Sequence, residues 1–322
     1  MSKRIFVFAL GAIFLTLSFA SDAQQPAKIP RIGYLGGAQA RVEAFRHGLR
    51  ELGYVEGKNI VIEWRDSEGK EERQRALAAD LVRLKVDVIV TGGATATRAA
   101  KEATVTIPIV MTQDPDPIGN GFIASLARPG GNITGLSNVG RELGGKRLEL
   151  LKEVVPKLTR VAVFGTSTFP GTAANLKETE LAAKALAVQL QYIEVRDTKG
   201  IESAFRAASK GRAEAVLGLW GGVLTSLGTQ IIELATKSRL PTIYARPEFV
   251  EAGGLMFYGV NVLDLDRRAA TYVDKILKGR THADLPVEQP KKFELIINLK
   301  AAKQIGLTIP PNVLVRADKV IK

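Results

Sequence analysis

The chain has 322 residues and a formal net charge of +12 at pH 7, and 46% of its residues are hydrophobic. It contains no cysteine, which excludes disulfides, thiolate metal sites, a cysteine nucleophile and a lipid anchor on an N-terminal cysteine. The Lys and Arg residues are dispersed among acidic ones, as on solvated helix faces, so the positive charge does not indicate a nucleic-acid partner. A chain of this length can form two domains whose cores need no disulfide.

The N-terminal segment has the pattern of a secretory signal peptide. Lys3 and Arg4 form a short basic region, residues 5–19 are almost wholly apolar, and small residues lead up to Ala23. A retained membrane anchor is the alternative, but a bilayer span needs about 20 apolar residues and this run is shorter. We therefore predict a signal peptide over residues 1–23, cleavage near Ala23 and a location in the periplasm.

Short apolar runs then alternate with stretches of helical spacing. The predicted strands of this first block are residues 31–35, 60–64, 87–90 and 108–111. Between the first two strands, apolar residues with helical spacing lie on one face of a predicted helix that ends at Gly53. Such βα units predict a parallel sheet covered by helices, with right-handed crossovers.

A second block of the same kind begins near Arg160. Its predicted strands are residues 161–164, 191–195, 215–219, 242–244 and 255–258. A helix over residues 265–276 and a strand over residues 293–299 follow, and they are too few to build a separate core. We expect them to return to the two earlier sheets, so that several chain crossings form a hinge.

The whole pattern predicts two Rossmann-like, doubly wound α/β domains with parallel sheets. Domain one is predicted to contain residues 30–137 and 262–284, and domain two residues 138–258 and 287–322. In open parallel sheets, ligands bind outside the carboxyl ends of the strands. The predicted ligand cleft therefore lies between the two domains, where the strand ends face each other.

Glycine pairs follow two strands of the first block, each before a predicted helix. A glycine pair lets a ligand approach the helix N-terminus, where free N–H groups and the helix dipole attract an anion such as a carboxylate. The candidate ligand-binding residues of this group are Gly36, Gly37, Gly92, Gly93, Ala94 and Thr95. A tight turn with nothing bound is the alternative, because neither pair fits the full dinucleotide fingerprint or the phosphate-loop pattern.

Polar residues follow other predicted strands. Asp114 could accept a hydrogen bond from a ligand ammonium group, or it could hold the proline-rich turn after it. Ser137 and Asn138 could donate to a carboxylate, with a turn near a chain crossing as the alternative. Thr166 and Ser167 occupy the corresponding place after the first strand of the second block. We include all five among the candidate ligand-binding residues.

Aromatic and basic residues follow the later strands of the second block. Trp220 and Tyr244 could stack on a ligand ring, although both types are also common in protein cores. Arg246 could pair with a carboxylate through two hydrogen bonds, and Asn261 follows a strand near a predicted crossing. Phe169 is either a lid residue or a packing residue. The first four complete the predicted ligand-binding set.

Six segments of the chain match a known family in their residues. They are residues 31–35 (RIGYL), 114–119 (DPDPIG), 126–135 (LARPGGNITG), 251–256 (EAGGLM), 285–290 (LPVEQP) and 293–300 (FELIINLK). They resemble ABC-transporter substrate-binding proteins of the type I periplasmic class, over essentially the whole chain after the signal peptide. The resemblance implies two Rossmann-like domains that are joined by a three-stranded hinge and close on a small solute. Some members of the family are similar to tryptophan-binding or other aromatic amino-acid-binding proteins.

One position departs from the family's pattern. In the family an arginine usually stands directly before a Glu-Phe-Val segment. In this chain Pro247 precedes that segment, and Arg246 stands one residue earlier. The resemblance therefore does not carry a ligand role over to Arg246, and its candidate role depends on its chemistry alone.

Catalysis and DNA binding both need features that the sequence lacks. The two histidines, His47 and His282, lie on a predicted surface helix and in a polar loop, and neither a Gly-x-Ser-x-Gly elbow nor metal-ligand spacing is present. The chain between the predicted cleavage site and Arg31 is too short for a helix-turn-helix, which argues against a DNA-binding regulator. These observations favour capture of a ligand over catalysis.

The predicted function is therefore that of the periplasmic solute-binding component of an ABC importer. It would capture an amino acid or an aromatic carboxylate by domain closure and dock on an ABC permease in the inner membrane. We expect a monomer with no cofactor, no metal and no nucleic-acid partner. A ligand-sensing receptor for a membrane signalling partner is the open alternative, and an exported enzyme is a more distant one.

Overall fold

The computed structural model describes residues 28–68, 70–219 and 221–322. The predicted signal peptide and Trp220 lie outside these residues, so both remain predictions. The described chain forms two β-sheets with helices packed on them, which confirms the predicted α/β fold with one sheet for each predicted domain. None of the helices in these three ranges is long and apolar enough to cross a membrane.

The first sheet has five strands. Their bounds are β1 Arg31–Leu35, β2 Val61–Arg65, β3 Val88–Thr91, β4 Ile109–Met111 and β5 Ile133–Gly135. Their order across the sheet is β2-β1-β3-β4-β5, and every neighbouring pair is parallel. The helices that follow the first three strands are α1 Gln39–Glu51, α2 Gln74–Arg83 and α3 Ala94–Ala103. The predicted strands of the first block thus share one sheet, as consecutive βα units do.

The second sheet has seven strands. Their bounds are β6 Arg160–Gly165, β7 Gln189–Glu194, β8 Ala215–Gly218, β9 Thr242–Tyr244, β10 Met256–Gly259, β11 Glu294–Asn298 and β12 Lys319–Ile321. Their order is β12-β11-β10-β9-β8-β6-β7. The pair β10–β11 is antiparallel and the other pairs are parallel. The one antiparallel pair departs from the predicted parallel sheet, because β11 enters this sheet only after the chain has returned from the first one.

The remaining helices belong mainly to the second sheet. Their bounds are α4 Gly140–Val154, α5 Thr172–Ala185, α6 Gly200–Lys210, α7 Gly222–Ser226, α8 Gly228–Lys237, α9 Pro247–Glu251, α10 Val262–Leu277, α11 Leu299–Gln304 and α12 Pro311–Leu314. Leu148 and Leu151 of α4 share a buried cluster with Val161 and Val163 of β6. Helix α4 is therefore anchored on the second sheet although it directly follows the last strand of the first.

Helix α10 follows β10 of the second sheet but packs on the first. Leu265 and Ala269 of its apolar face lie in the same buried cluster as Phe45 of α1. The two helices approach most closely at Gly48, where a Cβ would overlap the backbone carbonyl of Arg267. The core of the first sheet is thus completed by residues from late in the chain.

Three segments of the described chain pass from one sheet to the other. These crossings are residues 136–139, 260–261 and 286–293. The first and third are joined by a hydrogen bond, since the amide of Ser137 donates to the carbonyl of Glu288 at 2.9 Å. Val139, at the end of the first crossing, has φ 47° and ψ 35°, a left-handed conformation that is rare for a β-branched residue. The crossings therefore combine a mutual hydrogen bond with local backbone strain.

Candidate functional site

A cavity of about 530 Å³ lies between the two sheets, at the carboxyl ends of their strands. The segments after β1, β3 and β4 contribute one part of its lining, and the segments after β6, β8 and β9 contribute the other. Ligand pockets in proteins typically have volumes of roughly 300–1,000 Å³. The cavity therefore has room for a solute of amino-acid size, at the place where open parallel sheets bind ligands.

The two predicted glycine pairs lie next to each other at this cavity. Gly36 and Gly37 have φ values of 79° and 82°, a left-handed conformation that favours glycine. The turn after β3 packs on them so closely that a Cβ at Gly92 would lie 3.0 Å from the amide nitrogen of Gly37. Both pairs line the cavity together with Ala94 and Thr95 at the start of α3. The start of α3 thus lies at the cavity, and its first N–H groups, like those of any helix, have no partner within the helix.

A buried ion pair forms part of the cavity wall on the side of the first sheet. Arg41 of α1 is 3% exposed, and its Nε donates to Oδ2 of Asp266 on α10 at 2.6 Å. Its Nη2 donates to Oδ1 of Asp266 at 2.8 Å and to Oγ1 of Thr112 at 2.7 Å, and its Nη1 donates to the carbonyl of Gly92. Burial and the neighbouring Asp266 raise the pKa of Tyr34, whose hydroxyl donates to the same carboxylate. This network ties α1 and α10 to the strand ends that form the cavity.

A second arginine in the lining, Arg246, forms an ion pair with a glutamate two residues later in the chain. Its side chain is 19% exposed, and its Nη1 donates to Oε1 of Glu248 at 2.9 Å. Burial and the nearby positive charge of Arg41 lower the pKa of Arg246. The predicted residue therefore reaches the cavity, with one of its donors already engaged by a carboxylate.

A third arginine in the lining has no such partner. Arg147 of α4 is 5% exposed, and its Nε donates to the backbone carbonyl of Tyr258 at 2.9 Å. Among the residues that the structure describes, no carboxylate pairs with its guanidinium, and its Nη atoms make no hydrogen bond. Burial lowers the pKa of Arg147 to about 10. Within the described part of the chain, Arg147 is thus a buried cation of the lining with no carboxylate paired to it.

Asp114 is fully buried and lies outside the cavity lining. Its Oδ1 accepts hydrogen bonds from the amide of Asp116 and from Nδ2 of Asn120, both at 2.9 Å. Its Oδ2 has no hydrogen-bond partner within the described ranges. These contacts are those of the turn-holding role that the sequence left open. A contact between Asp114 and a ligand stays a prediction.

Three other predicted residues lie outside the lining and hold turns. The Oγ of Ser137 donates to the carbonyl of Asp114 at 2.8 Å, and Oγ1 of Thr166 donates to the carbonyl of Val195 at 2.7 Å. The Oγ of Ser167 donates to a carboxylate oxygen of Glu194 at 3.0 Å. Each of the three hydroxyls therefore donates a hydrogen bond to another group of the protein, close to the end of a strand.

The remaining predicted residues divide between the lining and its support. Asn138 lines the cavity, and its Oδ1 accepts from the amide of Gly140 at 3.0 Å. Tyr244 is buried behind Phe249, with 5.9 Å between the ring centroids. Asn261 lies outside the lining and caps α10, since its Oδ1 accepts from the amides of residues 263 and 264. Trp220 falls in the part of the chain that the structure does not describe.

Several lining residues were not predicted from the sequence. Besides Arg41 and Arg147, they include apolar side chains from both halves and a set of uncharged polar ones. The apolar ones are Leu143, Leu219, Phe249, Val260 and Val262, and the polar ones are Ser67, Gln74, Gln113, Thr172 and Asn175. Phe169, for which the sequence left a lid or a packing role open, is also in the lining. Within residues 28–322, leaving out 69 and 220, no group of three or more His, Asp or Glu side chains is arranged to hold a metal ion.

A comparison with known families identifies the chain. The family model for ABC transporter substrate binding proteins matches residues 36–321. The chain belongs to this family. The predicted resemblance is thereby confirmed, and the match includes every described strand after β1 and all the residues that line the cavity.

Individual relatives are similar over most of their length. A tyrosine-binding protein of Clostridioides difficile (strain R20291) is 24% identical over 265 residues, which are 82% of this chain and 76% of the relative. A conserved domain protein from Vibrio cholerae has a TM-score of 0.85 at 27% identity, covering 91% of this chain and 100% of that one. A Streptococcus ABC domain in complex with L-Trp has a TM-score of 0.81 at 25% identity, covering 90% and 99%. The two solved structures share the overall fold of this chain.

Proposed function

We propose that the protein is the periplasmic solute-binding component of an ABC importer, and that it captures an amino acid or an aromatic carboxylate. The observation that carries the proposal is the cavity of about 530 Å³, which lies at the strand ends of both sheets and is lined by residues from each. Family membership supports a binding role over an enzymatic one. The tyrosine-binding protein and the L-Trp complex among its relatives support an aromatic amino acid as ligand.

The proposed mechanism is closure of the two domains around the solute. A solute that contacts both sheets stabilises the closed arrangement and shifts the population towards it. The glycine turns of the first sheet would approach the solute closely, while residues such as Asn138 and Arg246 would contact it from the side of the crossings and the second sheet. The closed, monomeric protein would then dock on an inner-membrane permease, after export and cleavage near Ala23.

A thermal-shift screen tests the proposal. The protein lacking residues 1–23 would be refolded from denaturant to remove any bound solute, and then heated with L-amino acids and aromatic carboxylates. A ligand at 100 times its dissociation constant stabilises a protein by about 2.7 kcal/mol, which raises the melting temperature by several degrees for a chain of this size. D-enantiomers and neutral sugars at equal concentration serve as controls. Absence of any shift across both ligand classes would refute the proposed ligand class.

A further inference from the structure

Arg147 projects from α4 towards the floor of the cavity, close to the second crossing. Its Nε is held by the carbonyl of Tyr258, and its Nη2 lies against Gly259, where an added Cβ would be 3.3 Å away. One edge of the guanidinium is therefore fixed by the backbone at the end of β10. Its two Nη groups remain as donors in a residue that is 5% exposed and lines the cavity.

The other arginines of the lining differ from Arg147 in their charge balance. Arg41 is paired with Asp266 at 2.6 Å, and Arg246 is paired with Glu248 at 2.9 Å. In the described chain, Arg147 alone among these three lacks a carboxylate partner. Taking a cation out of water without a partner is costly, and natural proteins rarely leave such a charge uncompensated. The compensation is therefore expected to come from outside the chain.

We propose that Arg147 binds the carboxylate group of the captured solute, which makes a carboxylate an obligatory part of the ligand; this inference rests on the proposed function. A guanidinium with two free, parallel N–H donors matches the two oxygens of a carboxylate. In the same low-dielectric setting, a charge-assisted bond is stronger than at the surface. The anchor would thus fix the orientation of the solute, with its remaining groups towards the glycine turns and the aromatic Phe169 and Phe249.

The position of Arg147 also connects the solute to the crossings. Helix α4 begins directly after the first crossing, and the carbonyl of Tyr258 lies directly before the second. A carboxylate on the Nη groups would therefore be bonded to a side chain that links α4 to β10, the two elements next to these crossings.

Isothermal titration with matched ligands tests this assignment. L-tryptophan, L-tryptophanamide and L-tryptophanol share a side chain and differ at the carboxyl position. The wild-type protein is expected to bind L-tryptophan at least about tenfold more tightly than the amide or the alcohol. In Arg147→Met the affinity for L-tryptophan should fall by about 10- to 100-fold, while the affinity for the amide should change little. The same set would be repeated with L-tyrosine.

Two further variants separate an anchor from a merely structural residue. Lys146→Met removes the same charge from the neighbouring, solvent-facing position of α4 and should leave both affinities unchanged. Arg147→Lys keeps the charge but loses the two-pronged geometry, so its affinity for L-tryptophan should be intermediate, and it carries the test if Arg147→Met does not fold. The ligand-free melting temperature of Arg147→Met should not fall, because the variant removes an unbalanced buried charge.

The outcomes distinguish this inference from the function on which it rests. Equal affinity of the wild-type protein for acid and amide, or wild-type affinity for L-tryptophan in Arg147→Met or Arg147→Lys, would overturn the role of Arg147 and leave solute capture in place. Failure of the wild-type protein to bind L-tryptophan, L-tyrosine or any carboxylate of the thermal-shift screen would overturn both.

Discussion

Asp114 is a buried carboxyl group beside the first crossing. Its backbone carbonyl accepts from the Oγ of Ser137 and from the amide of Asn138, so it supports the segment between the sheets. Burial raises the pKa of Asp114 to about 7, and the negative charge of Asp116 adds to this, while the hydrogen bonds from the Asp116 amide and from Asn120 oppose it. The carboxyl group is thus protonated in the folded protein at pH values where it is ionised in the unfolded chain.

This difference predicts a stability that falls as the pH rises. Between about pH 4 and about pH 7 unfolding releases the proton of Asp114, so its contribution is complete at the acidic end and lost above the folded pKa. One such proton corresponds to a slope of about 1.4 kcal/mol per pH unit. Asp114→Asn should remove this part of the slope and raise the free energy of unfolding at pH 8 by at least about 1 kcal/mol, as measured by urea titration at pH 5 and pH 8. Asp284→Asn, at an exposed position, is the control, and a slope unchanged in Asp114→Asn would contradict the prediction.

At the scale of residues, the sequence predicts the turns of the cavity better than its charges. The glycine pairs were found because glycines directly after a strand are visible in the sequence. Arg41 and Arg147 were not, because each lies within a helix and not in the turn directly after a strand. A signal existed, since Arg41 is four residues before Phe45 and Arg147 four residues after Leu143. A cation on the apolar face of a helix indicates a buried charge with a specific partner.

At the scale of elements, the contact between α1 and α10 depends on Gly48. The backbone of α10 occupies the space that a Cβ at this position would need, since it would meet the carbonyl of Arg267. Gly48→Ala must push the helices apart and should lower the free energy of unfolding by about 1–3 kcal/mol, in spite of the better helix propensity of alanine. Gly200→Ala, at the start of α6 and with only an ordinary contact, should cost little. Equal stability of the two variants in urea titrations would show that α10 is not closely packed there.

Buried strands are easier to predict from the sequence than short or antiparallel ones. Strands such as β3 and β8 were predicted because every residue in them is buried and apolar runs of this length are typical of parallel sheets. β12 was not predicted, because its three residues are partly exposed and contain only two apolar side chains. The antiparallel placement of β11 depends on a partner strand about 40 residues earlier, which no local pattern encodes.

At the scale of the whole molecule, the proposed closure predicts a more compact protein with ligand. The radius of gyration from small-angle X-ray scattering should fall when L-tryptophan is added at saturating concentration, because the two sheets approach each other across the cavity. A solute that gives no thermal shift should leave the radius unchanged. Arg147→Met at the same L-tryptophan concentration should show a smaller decrease. An unchanged radius in the wild-type protein with bound ligand would exclude closure while leaving binding itself intact.

The return of α10 to the first sheet also sets an order in time. A ribosome that has completed β5 at residue 135 must continue to residue 262 before α10 begins, and to residue 319 before β12 does. At roughly 5–20 residues per second, the first of these intervals alone lasts on the order of ten seconds. Throughout it, the nascent N-terminal half exposes the apolar surface that α10 later covers. The core of the first sheet can therefore close only late in synthesis, after α10 has left the ribosome.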